Sequence, residues 1–447
     1  MSRLAALLAC AAIVAAALMP RAAAAMEIQE VRAQALTAWL VEDASPLVQL
    51  EFAWRHPSAS PSLSTPSDAG LTWLTMALLE EGRSAPSGAP LREALEALGA
   101  QWHARATPEG GRLSLRMLAH TKDEVWALLV AALAEPRAPR RALDRVKARA
   151  QTLRAADAQS PQRLARQLWR RAAFPQHPYG APIYGSEAGM GAVRLGDVRA
   201  HHRRLFTQRS SVIGAVGAIN AEELTAWLAQ LAERLPAGAP RTAPEPAPRW
   251  QRGGEIVQLK RAGPQTFVWF GLPGPMRTSA DYTALQLANL VLGGGSLGSR
   301  LMQEIREKRG LAYSASSFVR PLAIGSLWQG ALASDNGSAA IAYGLVRSEM
   351  ERLAREGLSP AELDAAQRQF LGRIAVGLRS GEAIAEQLLL LQLYDRPKDF
   401  LARLPERVNA VTNDTLRRAA ARWLDAGQLF AVAIGMSPDL LPPAAQP

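Results

Sequence analysis

Arg306 and Tyr313 are the two side chains of this sequence that folding alone explains least. They stand either side of Gly310 in "SRLMQEIREKRGLAYSASSF", residues 299–318. Leu301, Met302 and Ile305 recur at helical spacing and predict a core-facing stripe. Gly310 suits the left-handed position that ends a helix, with Leu311 as its apolar contact. "LAYSASSFV" then reads as a strand. That account gives Arg306 and Tyr313 no task. What they offer chemically is hydrogen-bond donation, from a guanidinium that stays charged and from a phenol O–H.

Other chemistries find no support in the spacing. His201 and His202 are adjacent on a predicted helix and point about 100° apart, so they cannot chelate one ion together. "HTKDE" (120–124) has no second histidine one turn on. His177 lies in a loop, and His56 and His103 stand alone in the sequence. No zinc-ligand spacing results, and no histidine neighbours a Ser or Cys nucleophile. "GGGSLG" (293–298) formally satisfies the dinucleotide pattern. It follows a helical segment, "ALQLANLVL", where that motif requires a strand, so it reads as a connector.

The elements that must position these residues fall into two halves. The 447 residues are 48% apolar and 20% charged, the balance of a globular protein with room for more than one core. In the first half "VQLEFAW" (48–54) alternates strictly, with Val48, Leu50, Phe52 and Trp54 on one side. "SVIGAVGAI" reads as a buried strand, and Asn220 with Glu223 forms a capping box for the next helix. In the second half "EIVQLK" and "QTFVWFGL" are strands and "YTALQLANLVL" a helix. "LREALEALGAQWHA" corresponds to "LMQEIREKRGLAYS", so Gly99 and Gly310 mark the same point of two copies of one unit. The predicted organisation is a signal segment over 1–25, a first domain over 26–235, a Pro/Ala-rich linker over 236–254 and a second domain over 255–447. The predicted fold class is α+β, with two tandem homologous domains, each a mostly antiparallel sheet packed with helices.

The first residues have the physics of a secretory signal. Arg3 precedes an apolar stretch from Leu4 to Met19, and Ala23 and Ala25 sit where a peptidase would cut before Met26. Cleavage there removes Cys10, the only cysteine, and implies a periplasmic protein without disulfides. An uncleaved signal acting as a membrane anchor is the alternative; lipidation at Cys10 is disfavoured because too few apolar residues precede it. No later segment is long and apolar enough to span a bilayer, so stable insertion is not expected after cleavage. The net charge of +11 comes from arginines scattered over many amphipathic segments. That pattern lacks the stripe expected of a nucleic-acid binder.

"GLTWLTMALLEEG" (70–82) is apolar nearly all round and predicts a buried helix. With this segment the chain resembles the pitrilysin/insulinase-type zinc metallopeptidases, which include processing-peptidase subunits and bacterial two-subunit relatives. Active members carry the inverted motif H-x-x-E-H here. In this chain Trp73, Met76 and Ala77 fall on the first histidine, the glutamate and the second histidine. The third ligand, a glutamate, would fall near Gln151 to Arg154, yet no acid occurs between Asp144 and Asp157. An asparagine usual in active members is replaced by His103. "FPQHPYGAPIYGS" and, most specifically, "LGGGSLGSRLMQEIREKRGLAYSASS" carry the rest of the resemblance.

The resemblance implies a chain with no catalytic residue and no metal of its own. Arg306 and Tyr313 match a pair that holds substrate at an active site on the opposite half or on a partner. The implied function is that of a non-catalytic subunit of a periplasmic heterodimer. It would present unfolded peptides to a zinc-bearing homologous subunit that carries H-x-x-E-H. The alternative is a peptide-binding or scaffold protein of the same fold with no proteolytic role.

Overall fold

The computed structural model describes residues 26–56, 70–82, 90–135, 139–175, 177–240, 250–294, 297–437 and 440. The signal segment, the loop after "VQLEFAW", the centre of the linker (241–249) and two residues of "GGGSLG" (295–296) lie outside the described residues.

The first half runs β1 (Gln29–Ala33), β2 (Leu36–Glu42), β3 (Leu47–Arg55), α1 (Leu71–Glu80), α2 (Leu91–Ala97), β4 (Gln101–Thr107) and β5 (Gly110–Leu118). It continues through α3 (Lys122–Ala134), α4 (Arg140–Gln159), α5 (Pro161–Ala173), α6 (Glu187–Ala192), α7 (Leu195–Leu205), β6 (Ser211–Gly217) and α8 (Ala221–Arg234). The second half runs β7 (Ile256–Lys260), β8 (Gln265–Gly274), α9 (Asp281–Gly293), a π-helical turn (Met302–Glu307), β9 (Ala312–Leu322) and β10 (Gly325–Asp335). It ends with α10 (Ala339–Glu356), α11 (Pro360–Gly377), α12 (Gly381–Leu393), α13 (Leu404–Asn409), α14 (Asn413–Trp423) and β11 (Phe430–Gly435).

The two sheets repeat one topology. The first has the order β1-β2-β6-β3-β5-β4 and the second β7-β11-β8-β10-β9. Apart from the extra edge strand β1, the orders superimpose strand for strand. Each contains one parallel pair, β2 with β6 and β7 with β11, in an otherwise antiparallel ladder. The α+β reading and the two-copy reading both hold. Gly99 and Gly310 occupy equivalent places, and both take left-handed φ angles, 69° and 63°. Asn220 and Glu223 close the predicted box, with the Glu223 N–H 2.9 Å from Asn220 Oδ1 and the Asn220 N–H 3.1 Å from Glu223 Oε2.

One face of each sheet is covered by helices of its own half. Trp126 and Trp227, from α3 and α8, stack at 4.8 Å within the core beneath the first sheet. Helices α9, α10 and α14 cover the second. The opposite faces are covered crosswise. Helix α12, from the second half, buries Ala385, Leu388, Leu389 and Leu391 against Trp39, Ala53, Val212 and Val216 of the first sheet. Helix α5, from the first half, buries Ala165, Trp169 and Ala173 against Trp269, Phe430, Val432 and Ile434 of the second. Both approaches need a glycine. A Cβ at Gly214 would lie 2.3 Å from the Ala385 carbonyl oxygen, and one at Gly271 would lie 2.8 Å from the Trp169 ring.

This crossing corrects the simple reading of "VQLEFAW". Alternation predicts one wet face for β3, yet every residue from Val48 to Trp54 is buried. Gln49 and Glu51 point toward α12 and are held by polar partners: Gln49 Nε2 donates to Ser114 Oγ at 3.0 Å and to Glu51 Oε1 at 3.2 Å.

The two equivalent hairpin turns, β4–β5 and β9–β10, meet at Glu109. Its Oε1 accepts from the Tyr179 hydroxyl at 2.6 Å and from the Ala323 N–H at 2.8 Å. Its Oε2 accepts from the Tyr394 hydroxyl at 3.3 Å. One carboxylate thus satisfies donors from both halves. Hydrogen bonds to an ionised acceptor contribute about 1.5–3 kcal/mol each, and a stranded donor costs further. Glu109→Ala is expected to lower the urea unfolding free energy by about 2–4 kcal/mol, and Tyr179→Phe by about 1 kcal/mol. Equal unfolding curves for Glu109→Ala and the native chain would show that the carboxylate does not join the halves.

Candidate functional site

Helix α1 is the element on which a ligand motif would have to sit. It starts at Gly70, whose φ of 95° a side chain would resist, and all of its residues except Trp73 and Glu80 are buried. Trp73 meets Tyr184 edge-on, with ring centres 5.4 Å apart. Met76 belongs to the core of the first sheet and lies so close to Gly111 that a Cβ there would fall 2.6 Å from its Sδ. Ala77 packs among Leu74, Leu78, Leu143 and Val146. On α4, where a third ligand would be needed, Arg154 donates from Nη1 to the Tyr184 carbonyl at 3.2 Å. Zinc does not fit this arrangement: two positions are filled by apolar packing, a third by an aromatic contact, and the nearby charged group is itself a cation. Among the described residues no cluster of His, Cys, Asp or Glu is placed to hold a metal ion.

Behind α1 the fold gathers histidines that the sequence scatters. Thr72 Oγ1 lies 3.0 Å from His201 Nε2 and 3.5 Å from His56 Nε2, and the two imidazole rings are 6.2 Å apart. Sequence distance hid this pairing, and no periodicity could have revealed it. Burial disfavours the imidazolium form of each. It holds His56 at about 4, His201 at about 3 and, on the same helix, His202 at about 4.

Arg306 and Tyr313 lie at the edge of the second sheet. Leu301, Met302 and Ile305 are buried as their spacing predicts. The turn that carries them is wound more widely than an α-helix, with the Lys308 N–H on the Gln303 carbonyl at 2.9 Å. Such π turns are often found at functional positions. The turn ends at Gly310, whose N–H donates to the Arg306 carbonyl at 2.9 Å, while the Leu311 N–H donates to the Ile305 carbonyl at 2.8 Å.

Strand β9 then begins with an irregularity. Ala333 pairs with Ser314 and Ser334 with Ala312, leaving Tyr313 as the extra residue of a bulge. A bulge re-aims a side chain, and Tyr313 is 73% exposed. The Arg306 guanidinium lies 5.3 Å from the centre of the Tyr313 ring. The structure therefore brings the two predicted residues together on an exposed edge, and no carboxylate among the described residues pairs with Arg306. An exposed stack of this kind contributes only about 0.5–1 kcal/mol, so both groups can be recruited by a ligand at small cost.

Residues 192–370 match the family described as the peptidase M16 inactive domain. The chain is 26% identical over 317 residues to the non-peptidase homolog YmxG of Helicobacter pylori, covering 70% of this chain and 72% of that protein. Over these residues the chain is similar to non-catalytic homologues of the M16 peptidases. Trp73, Met76 and Ala77, the positions the resemblance assigns to the metal motif, carry no zinc-ligating side chain. An uncharacterized zinc protease of Streptomyces coelicolor is 28% identical over 264 residues, covering 56% of this chain and 57% of that protein. One of Mycobacterium leprae is 30% identical over 223 residues, covering 49% and 50%. The matches thus span between half and three fifths of the length of these curated relatives. The fold extends further. A peptidase M16 inactive domain structure from Pseudomonas fluorescens superimposes with a TM-score of 0.84 at 24% identity, covering 92% of this chain and 98% of that one.

The buried histidines set a pH dependence with a definite sign. A folded pKa below the unfolded value contributes stability above the unfolded pKa, and this is lost as pH falls through the folded one. For His56, His201 and His202 the window runs from 6.5 down to between 3 and 4. Glu51 opposes them: burial pushes it from 4.5 up to about 7, so its contribution is lost as pH rises across that interval. Three groups outweigh one. The thermal midpoint is expected to fall between pH 6.5 and 5, and Glu51→Gln is expected to steepen that fall while raising stability above pH 7. Calorimetry across this range checks both signs.

Proposed function

We propose that this chain is the non-catalytic subunit of a two-chain periplasmic zinc metallopeptidase. It binds unfolded peptides and positions them for a homologous subunit that carries H-x-x-E-H and the zinc. The observation that carries this reading is the exposed Arg306–Tyr313 stack, which the bulge in β9 and the turn ending at Gly310 present outward from a rigid sheet. The metal chemistry belongs to the partner. What this chain supplies is a charged N–H fork and a phenol O–H, both aimed away from its own core. Such donors suit a peptide carbonyl oxygen that gains negative charge during attack. The open edges of β4 and β9, equivalent in the two sheets, also offer backbone groups to an extended peptide. An exported location follows from the signal-like first residues. Among the described residues no helix is long and apolar enough to cross a membrane.

The test is capture of the full chain from its own cell envelope, followed by assay of the recovered complex on an unstructured fluorogenic peptide. A second chain bearing H-x-x-E-H, with about one zinc per complex, is the expected outcome. Removal of one donor to a developing oxyanion typically costs about 100–1000-fold in turnover. Arg306→Ala and Tyr313→Phe are therefore each expected to reduce turnover of the assembled pair by at least about 100-fold, with assembly unchanged. Full activity in both variants would instead favour a scaffold of the same fold.

A further inference from the structure

A cavity of about 60 Å³ opens between α4, α5 and the segment 180–184. Four guanidinium groups, Arg154, Arg163, Arg166 and Arg170, line it against one carboxylate, Asp157. Four positive charges less one negative leave a balance of +3. A water needs only about 10–15 Å³, so there is room for a larger guest.

The arginines are held mostly by groups that do not neutralise them. Arg170 donates to the Tyr179 carbonyl from Nε at 3.0 Å and Nη2 at 2.7 Å. Arg154 bonds the Tyr184 carbonyl, and Arg166 lies over the Trp269 ring at 5.9 Å. Among the described residues Arg163 is the one of the four in an ion pair, with Asp157 at 3.2 Å. Burial, and then repulsion from Arg320 and Arg166, push Arg170 down to about 10. Carbonyls and an aromatic face fix these forks in place, and among the described residues several of their N–H groups have no protein partner. Such forks match the two oxygens of a carboxylate.

The location supplies the rest. The first turns of α5 border a second hollow, lined by Gln162, Ala165, Trp269 and Ser314. Ser314 follows Tyr313 in β9. One helix therefore lies between the arginine cavity and the strand that carries the exposed tyrosine. An extended chain advances about 3.3 Å per residue, so a peptide crossing α5 from Tyr313 passes along these side chains.

We propose that the cavity is a carboxylate-binding subsite that makes this protein selective for acidic peptides; the proposal rests on the peptide-binding reading above. Fluorescence anisotropy with the full chain tests it, using a labelled unstructured peptide containing glutamates, its Glu→Gln counterpart and its C-terminally amidated counterpart. The acidic peptide is expected to bind at least about tenfold tighter than the neutral one, the scale of charge-assisted hydrogen bonds. The double variant Arg163→Gln/Arg166→Gln, at exposed positions, is expected to erase that difference. Arg154→Gln, which gives up one bond to a carbonyl, is expected to reduce it independently. Arg417→Gln/Arg418→Gln, the same charge change on the exposed face of α14, is expected to leave it intact. Loss on Glu→Gln exchange identifies side-chain carboxylates as the ligand, and loss on amidation identifies the chain terminus; either supports the subsite. Equal binding of all three peptides would overturn the subsite while leaving peptide binding in place. An equal loss in the α14 variant would reduce the effect to bulk charge and overturn it too. If no peptide binds, both readings fall.

Discussion

Neither sheet of this protein can be closed by its own half of the chain. Both β6 and β11 are buried along their whole length, so both faces of each sheet need cover. Each half supplies helices for one face only. The missing layer comes from α12 on the first sheet and α5 on the second. Fully burying a large apolar side chain contributes about 1.5–3 kcal/mol, and each crossing helix buries several. Polar ties accompany the packing and repeat its symmetry. Trp169 Nε1 donates to the Phe430 carbonyl of β11 at 3.0 Å, and Gln392 Nε2 to the Ile213 carbonyl of the equivalent β6 at 2.7 Å. The candidate site and the elements around it inherit their positions from this exchange. It brings the two hairpin turns together at Glu109, sets the arginines of α5 beside Trp269, and leaves β9 as a free edge.

The same packing explains why α1 leaves no room for the zinc ligands that the resemblance would place on it. In α1 the motif positions have become part of the interior. Met76 fills the space over Gly111, and Ala77 closes against α4. Restoring a carboxylate and an imidazole at these positions would bury ionisable groups where packing is now apolar. Such groups cost several kcal/mol unless they are paired. A metal would be their only compensation, and Arg154 stands near the region where its third ligand would be required. The apolar character of these positions is thus built into the core, beyond a matter of surface chemistry.

Much of this architecture is legible in the sequence because it rests on local signals. The Asn220 box, the left-handed Gly310 and the apolar stripe of Leu301, Met302 and Ile305 need only near neighbours to be read. The two-copy organisation is visible because equivalent glycines end equivalent helical segments. What cannot be read locally is what the other half of the chain does. "VQLEFAW" has the pattern of a half-wet strand, and only the arrival of α12 makes Gln49 and Glu51 interior. His56 and His201 look isolated because the fold alone places them around Thr72. The bulge at Tyr313 is invisible for the same reason: it is a mismatch between β9 and β10, and neither strand betrays it alone.

These long-range effects also decide how Arg306 and Tyr313 should be weighed. Had Tyr313 been in regular register, alternation with the buried Ala312 would still have sent it outward, but Ser314 would then point inward. The bulge leaves Tyr313 and Ser314 both exposed, which widens the accessible edge of β9. The stack with Arg306 orders the pair with about 0.5–1 kcal/mol. A charge-assisted hydrogen bond contributes about 1.5–3 kcal/mol. The resting interaction is therefore strong enough to bias the two side chains toward each other and too weak to compete with a ligand that offers an anionic or developing-anionic oxygen. A structural role alone would favour burying the ring, as the fold does for Tyr179, Tyr282 and Tyr343. Tyr313 is instead left outside, on a rigid strand, with a cation beside it. That combination keeps donors ready at an edge while the core beneath them stays unchanged.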